Sequence, residues 1–123
     1  METKINPLLK ARDIFESFRK NLNTDQEKAG AVQAFEFCYE LTWKTMKRIL
    51  NFRRIEVSTP RDTFREAALA HLIKNPEVWF DFIRKRNLTI HTYDEKNLEA
   101  VGAIFDRFSH ELPKFIENVE KNT

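Results

Sequence analysis

The chain has 123 residues, enough for one domain around one hydrophobic core and too few for two. Two glycines and four prolines supply too little turn material for an all-β protein, and 33% charged with 41% hydrophobic residues excludes a disordered chain. The formal net charge of +2 permits nucleic-acid binding without arguing for it, because a basic footprint is normally stronger. A single cysteine, Cys38, excludes an internal disulfide and fits a reducing cytoplasm. The N-terminus lacks a cationic-then-apolar targeting pattern, and no apolar run is long enough to span a membrane.

Asn6-Pro7 predicts the first helix start, with Asn6 as cap and Pro7 as first helical residue. Leu8, Ile14, Phe15, Phe18 and Leu22 carry this helix to about Leu22. Thr24-Asp25-Gln26-Glu27 is a capping box, and a second helix follows from about Asp25 to Phe52. Between Ala31 and Trp43 it is apolar on several sides, which marks a central helix packed on more than one face. Glu36 and Glu40 share one face within it. Lys44, Lys47, Arg48, Arg53 and Arg54 place cations near its C-terminus, where the macrodipole favours them.

Thr59-Pro60 repeats the start signal for a short third helix to about Leu72, with Phe64, Ala67, Ala68 and Leu72 on one side. Asn75-Pro76 opens a fourth, whose inward stripe is Trp79, Phe82, Ile83, Arg86 and Ile90. Its arginine therefore sits on the apolar face. Thr92 or Asp94 caps a fifth helix through Leu98, Val101, Ile104, Phe105 and Phe108. Leu112-Pro113 is expected to break or kink it, with Phe115, Ile116 and Val119 forming a last short helix or an extension. The expected fold is all-α: a single domain over 1–123, an antiparallel up-and-down bundle of four main helices plus the short third one.

The window Arg86 to Tyr93 concentrates the chemistry of the chain. It holds a permanent cation, the carboxamide of Asn87, the imidazole of His91 and the phenol of Tyr93. Five helical positions separate Arg86 and His91 by roughly 140° of arc, so a turn near Leu88 or Thr89 is needed to aim both at one pocket. A cation on the scissile phosphate and an imidazole moving protons suffice for metal-independent RNA cleavage. The attacking 2′-hydroxyl must lose a proton and the leaving 5′-oxygen must gain one. One window offers one histidine; two copies across a two-fold axis offer an acid-base pair, so this chemistry requires a homodimer with a shared cleft.

Arginine five before histidine is weak by itself, at roughly one chance in four, and adding the tyrosine lowers this to roughly one in 250. The bland alternative is a hydrogen-bonded His91 at a helix end, with Arg86 the buried partner of Glu36 or Glu40 as internal counter-ions. Arg53, Arg54, Arg61 and Arg65 fit either an extended RNA-binding surface or a solvated helix end. His71 and His110 lack companions at metal-ligand spacing, and no glycine-rich phosphate loop is present, so neither metal nor cofactor is expected. Cys38 reads as a small buried hydrophobe.

Arg86-x4-His91-x-Tyr93 resembles the signature of the HEPN superfamily in its bacterial and archaeal toxin branch. Gln33-x-Phe35-Glu36-x-x-Tyr39-Glu40-Leu41-x-Trp43-Lys44 resembles the second-helix signature of one group in that branch, the nucleotidyltransferase substrate-binding proteins. Pro60-Arg61, Arg65-Glu66-Ala67 and Trp79 agree with it, so the resemblance spans about Leu22 to Phe108. It implies a homodimeric toxin whose antitoxin is a small nucleotidyltransferase, acting on RNA without metal. By motif, Arg86 would contact phosphate, Asn87 would assist positioning, and His91 would act as acid or base. Tyr93 would be the residue that the partner modifies with adenylate. The same resemblance also implies an alternative, a non-catalytic subunit that presents substrate or nucleotide to the nucleotidyltransferase.

Overall fold

The computed structural model of the chain describes residues 5–89 and 95–121, the side chains of 88–89 and 95–101 aside. Helix α2 (Asp25–Phe52) starts where its local signals put it. The Thr24 hydroxyl accepts from Glu27 N at 3.0 Å, and Glu27 Oε1 accepts from Thr24 N at 3.0 Å, so two orphan donors are satisfied reciprocally. The helix then buries Ala31, Phe35, Cys38, Met46 and Leu50 completely and Tyr39 nearly so. Thr42 and Thr45 are also buried; their hydroxyls donate to the carbonyls of Cys38 and Leu41, one turn back, at 2.7 and 2.6 Å.

Helix α1 (Asn6–Arg19) differs from expectation at both ends. Leu9 N already bonds the Ile5 carbonyl at 2.9 Å, so Ile5 is the cap residue and Asn6 is helical, without a side-chain cap. The chain leaves the helix after Arg19 rather than near Leu22, in a tight turn closed by Asn21 N on the Phe18 carbonyl. The buried stripe is Leu8, Ala11 and Phe15, while Ile14 and Phe18 are 50% and 38% exposed. Gly30 of α2 allows Phe18 to lie close: a Cβ there would come within 2.6 Å of Phe18 Cε1.

Helix α3 (Pro60–Leu69) is capped by Thr59, whose hydroxyl accepts from Asp62 N at 3.2 Å. It ends short of the expected Leu72 because His71 turns left-handed, φ 62°, and Leu72 N reaches back to the Ala67 carbonyl at 2.9 Å. That turn returns Leu72 to the core. The end of α2 repeats the arrangement, with Arg54 at φ 66° and Ile55 N on the Leu50 carbonyl at 2.9 Å. Such helix ends usually carry glycine at the left-handed position; a residue with a Cβ costs about 1–2 kcal/mol there.

Helix α4 (Pro76–Thr89) begins at Asn75, whose Oδ1 accepts from Glu77 N at 3.0 Å. Trp79, Phe80 and Phe82 are buried and Ile83 is half-buried. Helix α5 (Glu95–Lys121) runs through Pro113 without a break. Of the two readings of this stretch, a separate short helix or an extension, the structure has the extension. The lost backbone bond is outweighed by burial on both sides of it, of Leu112, Phe115, Ile116 and Val119.

Consecutive helices pack together and α5 returns to α2, closing the antiparallel bundle; no strand occurs among the described residues. Phe108 is the hub of the core. Its ring lies 5.4 Å from Phe15 of α1, 5.1 Å from Phe35 of α2 and 5.3 Å from Phe82 of α4, each edge to face. Trp79 continues the aromatic chain to Phe64 of α3 at 5.3 Å. Among the described residues no helix is long and apolar enough to cross a membrane.

Candidate functional site

Spacings of three and four from Trp79 and Phe82 place Arg86 on the side of α4 that faces the bundle, one turn before the helix ends. The helix brings it beside the middle of α2. Arg86 Nε stands 3.5 Å from Glu40 Oε1, and the two side chains are 24% and 34% exposed. The other carboxylate oxygen, Oε2, accepts from the Trp43 indole Nε1 at 3.0 Å and has the Lys44 ammonium at 3.8 Å. Glu40 is therefore held from two sides while it faces the guanidinium. Trp43 in turn has the Lys47 ammonium 5.9 Å from its ring centroid, so a line of contacts runs from Arg86 through Glu40 and Trp43 to Lys47.

Tyr39 lies next to this group and is nearly fully buried. Burial raises its phenol above the ordinary tyrosine range; the Glu40 carboxylate raises it further and Arg86 partly offsets both. The phenol stays neutral and acts as packing. Cys38, also buried, is pushed up to about 12, chiefly by desolvation, so no thiolate is available at neutral pH. Among the described residues no group of three or more His, Cys, Asp and Glu side chains gathers as a metal would require.

Of the residues singled out in the sequence, Arg86 and Glu40 come together. Glu36 is half-buried one turn earlier on α2, and Asn87 is exposed on α4. His91 and Tyr93 lie outside the described residues. Trp43 and Lys44 were not picked out as parts of the site. Their signal was available, since positions three and four beyond Glu40 on a helix share its face.

A family model described as "Nucleotidyltransferase substrate binding protein like" matches residues 4–121. The chain belongs to that family. A Haemophilus influenzae protein named probable ribonuclease HepT is 38% identical over 98 residues, covering 76% of this chain and 67% of the relative. A solved Haemophilus influenzae structure, described as revealing the fold of a substrate binding domain of a nucleotidyltransferase, superposes with a TM-score of 0.83 at 32% identity. It covers 95% of this chain and 99% of its own. A Thermus thermophilus structure shares the fold with a TM-score of 0.85 at 21% identity, over 91% and 98% of the two chains. The motifs on α2, α3 and α4 that resemble the substrate-binding group thus agree with the family match across the whole bundle.

Proposed function

We propose that the protein is a metal-independent endoribonuclease, the toxin of a pair whose antitoxin is a minimal nucleotidyltransferase. The observation that carries this reading is the placement of Arg86. Its guanidinium is held against Glu40 at the end of α4, where the chain passes into the segment that contains His91. A guanidinium is a planar fork of N–H donors that matches phosphate geometry, and one oriented by a carboxylate stabilises charge on the phosphoryl oxygens. Asn87, exposed beside it, supplies a polar contact. His91 moves the proton, and a second copy of the chain supplies the second histidine, so the working site is composite and the enzyme a homodimer. Tyr93, two residues beyond His91, is the site at which the partner attaches adenylate; the added anion repels and occludes the substrate phosphate. The name of the Haemophilus relative, probable ribonuclease HepT, supports the reaction class.

A second reading has its own support. The family description and the 32%-identical structure both speak of substrate binding for a nucleotidyltransferase, which implies a non-catalytic subunit that binds substrate or nucleotide. Incubating the purified chain with RNA in EDTA, beside His91→Ala, separates the two. The nuclease reading expects fragments from the wild type and at least 100-fold fewer from the variant. No cleavage by the wild type, or equal cleavage by both, leaves the binding-subunit reading.

A further inference from the structure

The stretch from Leu41 to Ile55, the end of α2 and the turn after it, has the most lopsided charge in the chain. Residues 41–55 hold five of the 21 Lys and Arg and none of the 19 Asp and Glu; the rest, with 16 cations against 19 anions, is net negative. The macrodipole accounts for Arg53 and Arg54 at the helix end, but not for Lys44, Lys47 and Arg48, contrary to the expectation from the sequence. It acts within the last turn of a helix, and the last turn of α2 carries no basic residue.

Their placement is ordered. Lys44, Lys47 and Asn51 follow Glu40 at intervals of four, three and four, so all share one side of α2 within roughly 60° of arc. Arg54 continues this line beyond the helix in its left-handed conformation. With Lys47, Asn51, Val57, Ser58 and Glu56 it lines a depression of about 570 Å³. The carboxylate of Glu56 is outnumbered there by Lys47 and Arg54. From Glu40 to Asn51 the helix rises about 17 Å. One end of the line is the counter-ion of Arg86, and the other is this depression. Lys44 and Lys47 are held along this line by Glu40 at 3.8 Å and the Trp43 ring at 5.9 Å, whereas on α3 Arg61 stacks on Phe80 at 4.7 Å and Arg65 pairs with Asp62 at 3.1 Å.

We propose that this side of α2 is a binding track for single-stranded RNA, along which the strand runs from the Arg86 half-site to the depression at Arg54. Roughly one cation or polar donor per 5.4 Å turn is a spacing that the phosphates of an extended strand can follow. A protein partner fits less well, since lysine is depleted from protein–protein interface cores. The proposal rests on the ribonuclease reading for which molecule is bound, although binding does not depend on cleavage.

The test uses a fluorescein-labelled 12-nucleotide 2′-O-methyl RNA, which lacks the attacking hydroxyl and so stays intact, titrated by anisotropy at 50 and 200 mM salt. Against it stand wild type, Lys47→Glu/Arg54→Glu, and a control of equal charge change on α1 and at its C-terminal cap, Lys10→Glu/Lys20→Glu. The track expects the first double variant to bind at least tenfold more weakly, with a shallower salt slope, and the control to stay within twofold. Wild-type affinity in the first variant, equal loss in both, or no binding by the wild type at 50 mM salt overturns the track; the last would favour an acidic protein surface as its occupant. Cleavage of ordinary RNA in EDTA is scored separately. Binding without cleavage sinks the nuclease and leaves the track, and cleavage with unchanged affinity in the first variant does the reverse.

Discussion

Arg86 Nε lies 3.5 Å from Glu40 Oε1, on a carboxylate whose second oxygen is taken by the Trp43 indole. Neither side chain is fully buried, so their attraction is screened and modest, while the indole holds the carboxylate in place. The pair joins α4 to α2 at the level where α4 ends.

A double-mutant cycle with Arg86→Ala and Glu40→Gln, read by urea unfolding, is expected to give a coupling of about 1 kcal/mol. Additive losses would mean that the contact is incidental. For RNA cleavage, Arg86→Ala should cost about 100-fold or more in kcat/KM, the usual loss of one charge-stabilising donor. Glu40→Gln should cost less, because it leaves the guanidinium in place with a looser orientation. Equal rates for Arg86→Ala and wild type would remove Arg86 from the mechanism.

Pro113 is exposed inside α5 and removes one backbone bond from an otherwise continuous helix. Pro113→Ala restores the donor and the better helix former, and should raise stability by about 1–3 kcal/mol. Thermal unfolding should then move up by several degrees. A fall in Tm would contradict the cost assigned to the proline.

The raised Cys38 thiol makes an alkaline prediction. Its folded value, about 12, lies above the ordinary 9.0, so the folded state holds the proton more tightly than the unfolded chain. The resulting stability is fully present below pH 9 and is lost as pH rises from about 9 toward 12. Tyr39 shifts in the same direction and adds to the decline above its ordinary value of 10.0. Wild-type stability should fall across this window, and Cys38→Ala, less stable at about pH 8, should fall less steeply between about pH 9 and 10. A thiol reagent at about pH 8 should label Cys38 only after denaturation; rapid labelling of the native protein would contradict its burial.

Local sequence signals located most helix starts because a cap bond spans two or three residues. Thr24 with Glu27, Thr59 with Asp62 and Asn75 with Glu77 each close within one turn, without help from the rest of the chain. The ends of α1 and α3 and the passage through Pro113 were not legible in this way. Left-handed turns at Arg54 and His71 and an unbroken α5 go with the burial of Val57, Leu72, Leu112 and Phe115, a benefit that exists only once other helices are in place.

The same division holds at the candidate site. By itself the sequence determined an all-helical chain, the inward face of Arg86, and two glutamates one turn apart as candidate counter-ions, because helical periodicity assigns faces without reference to neighbours. Only the tertiary structure decided that Glu40 stands opposite Arg86, that Trp43 holds its other oxygen, and that Lys47 and Arg54 share one depression. Those relations depend on the height at which α4 docks along α2 and on how the chain turns after Phe52, which are set by packing across the core.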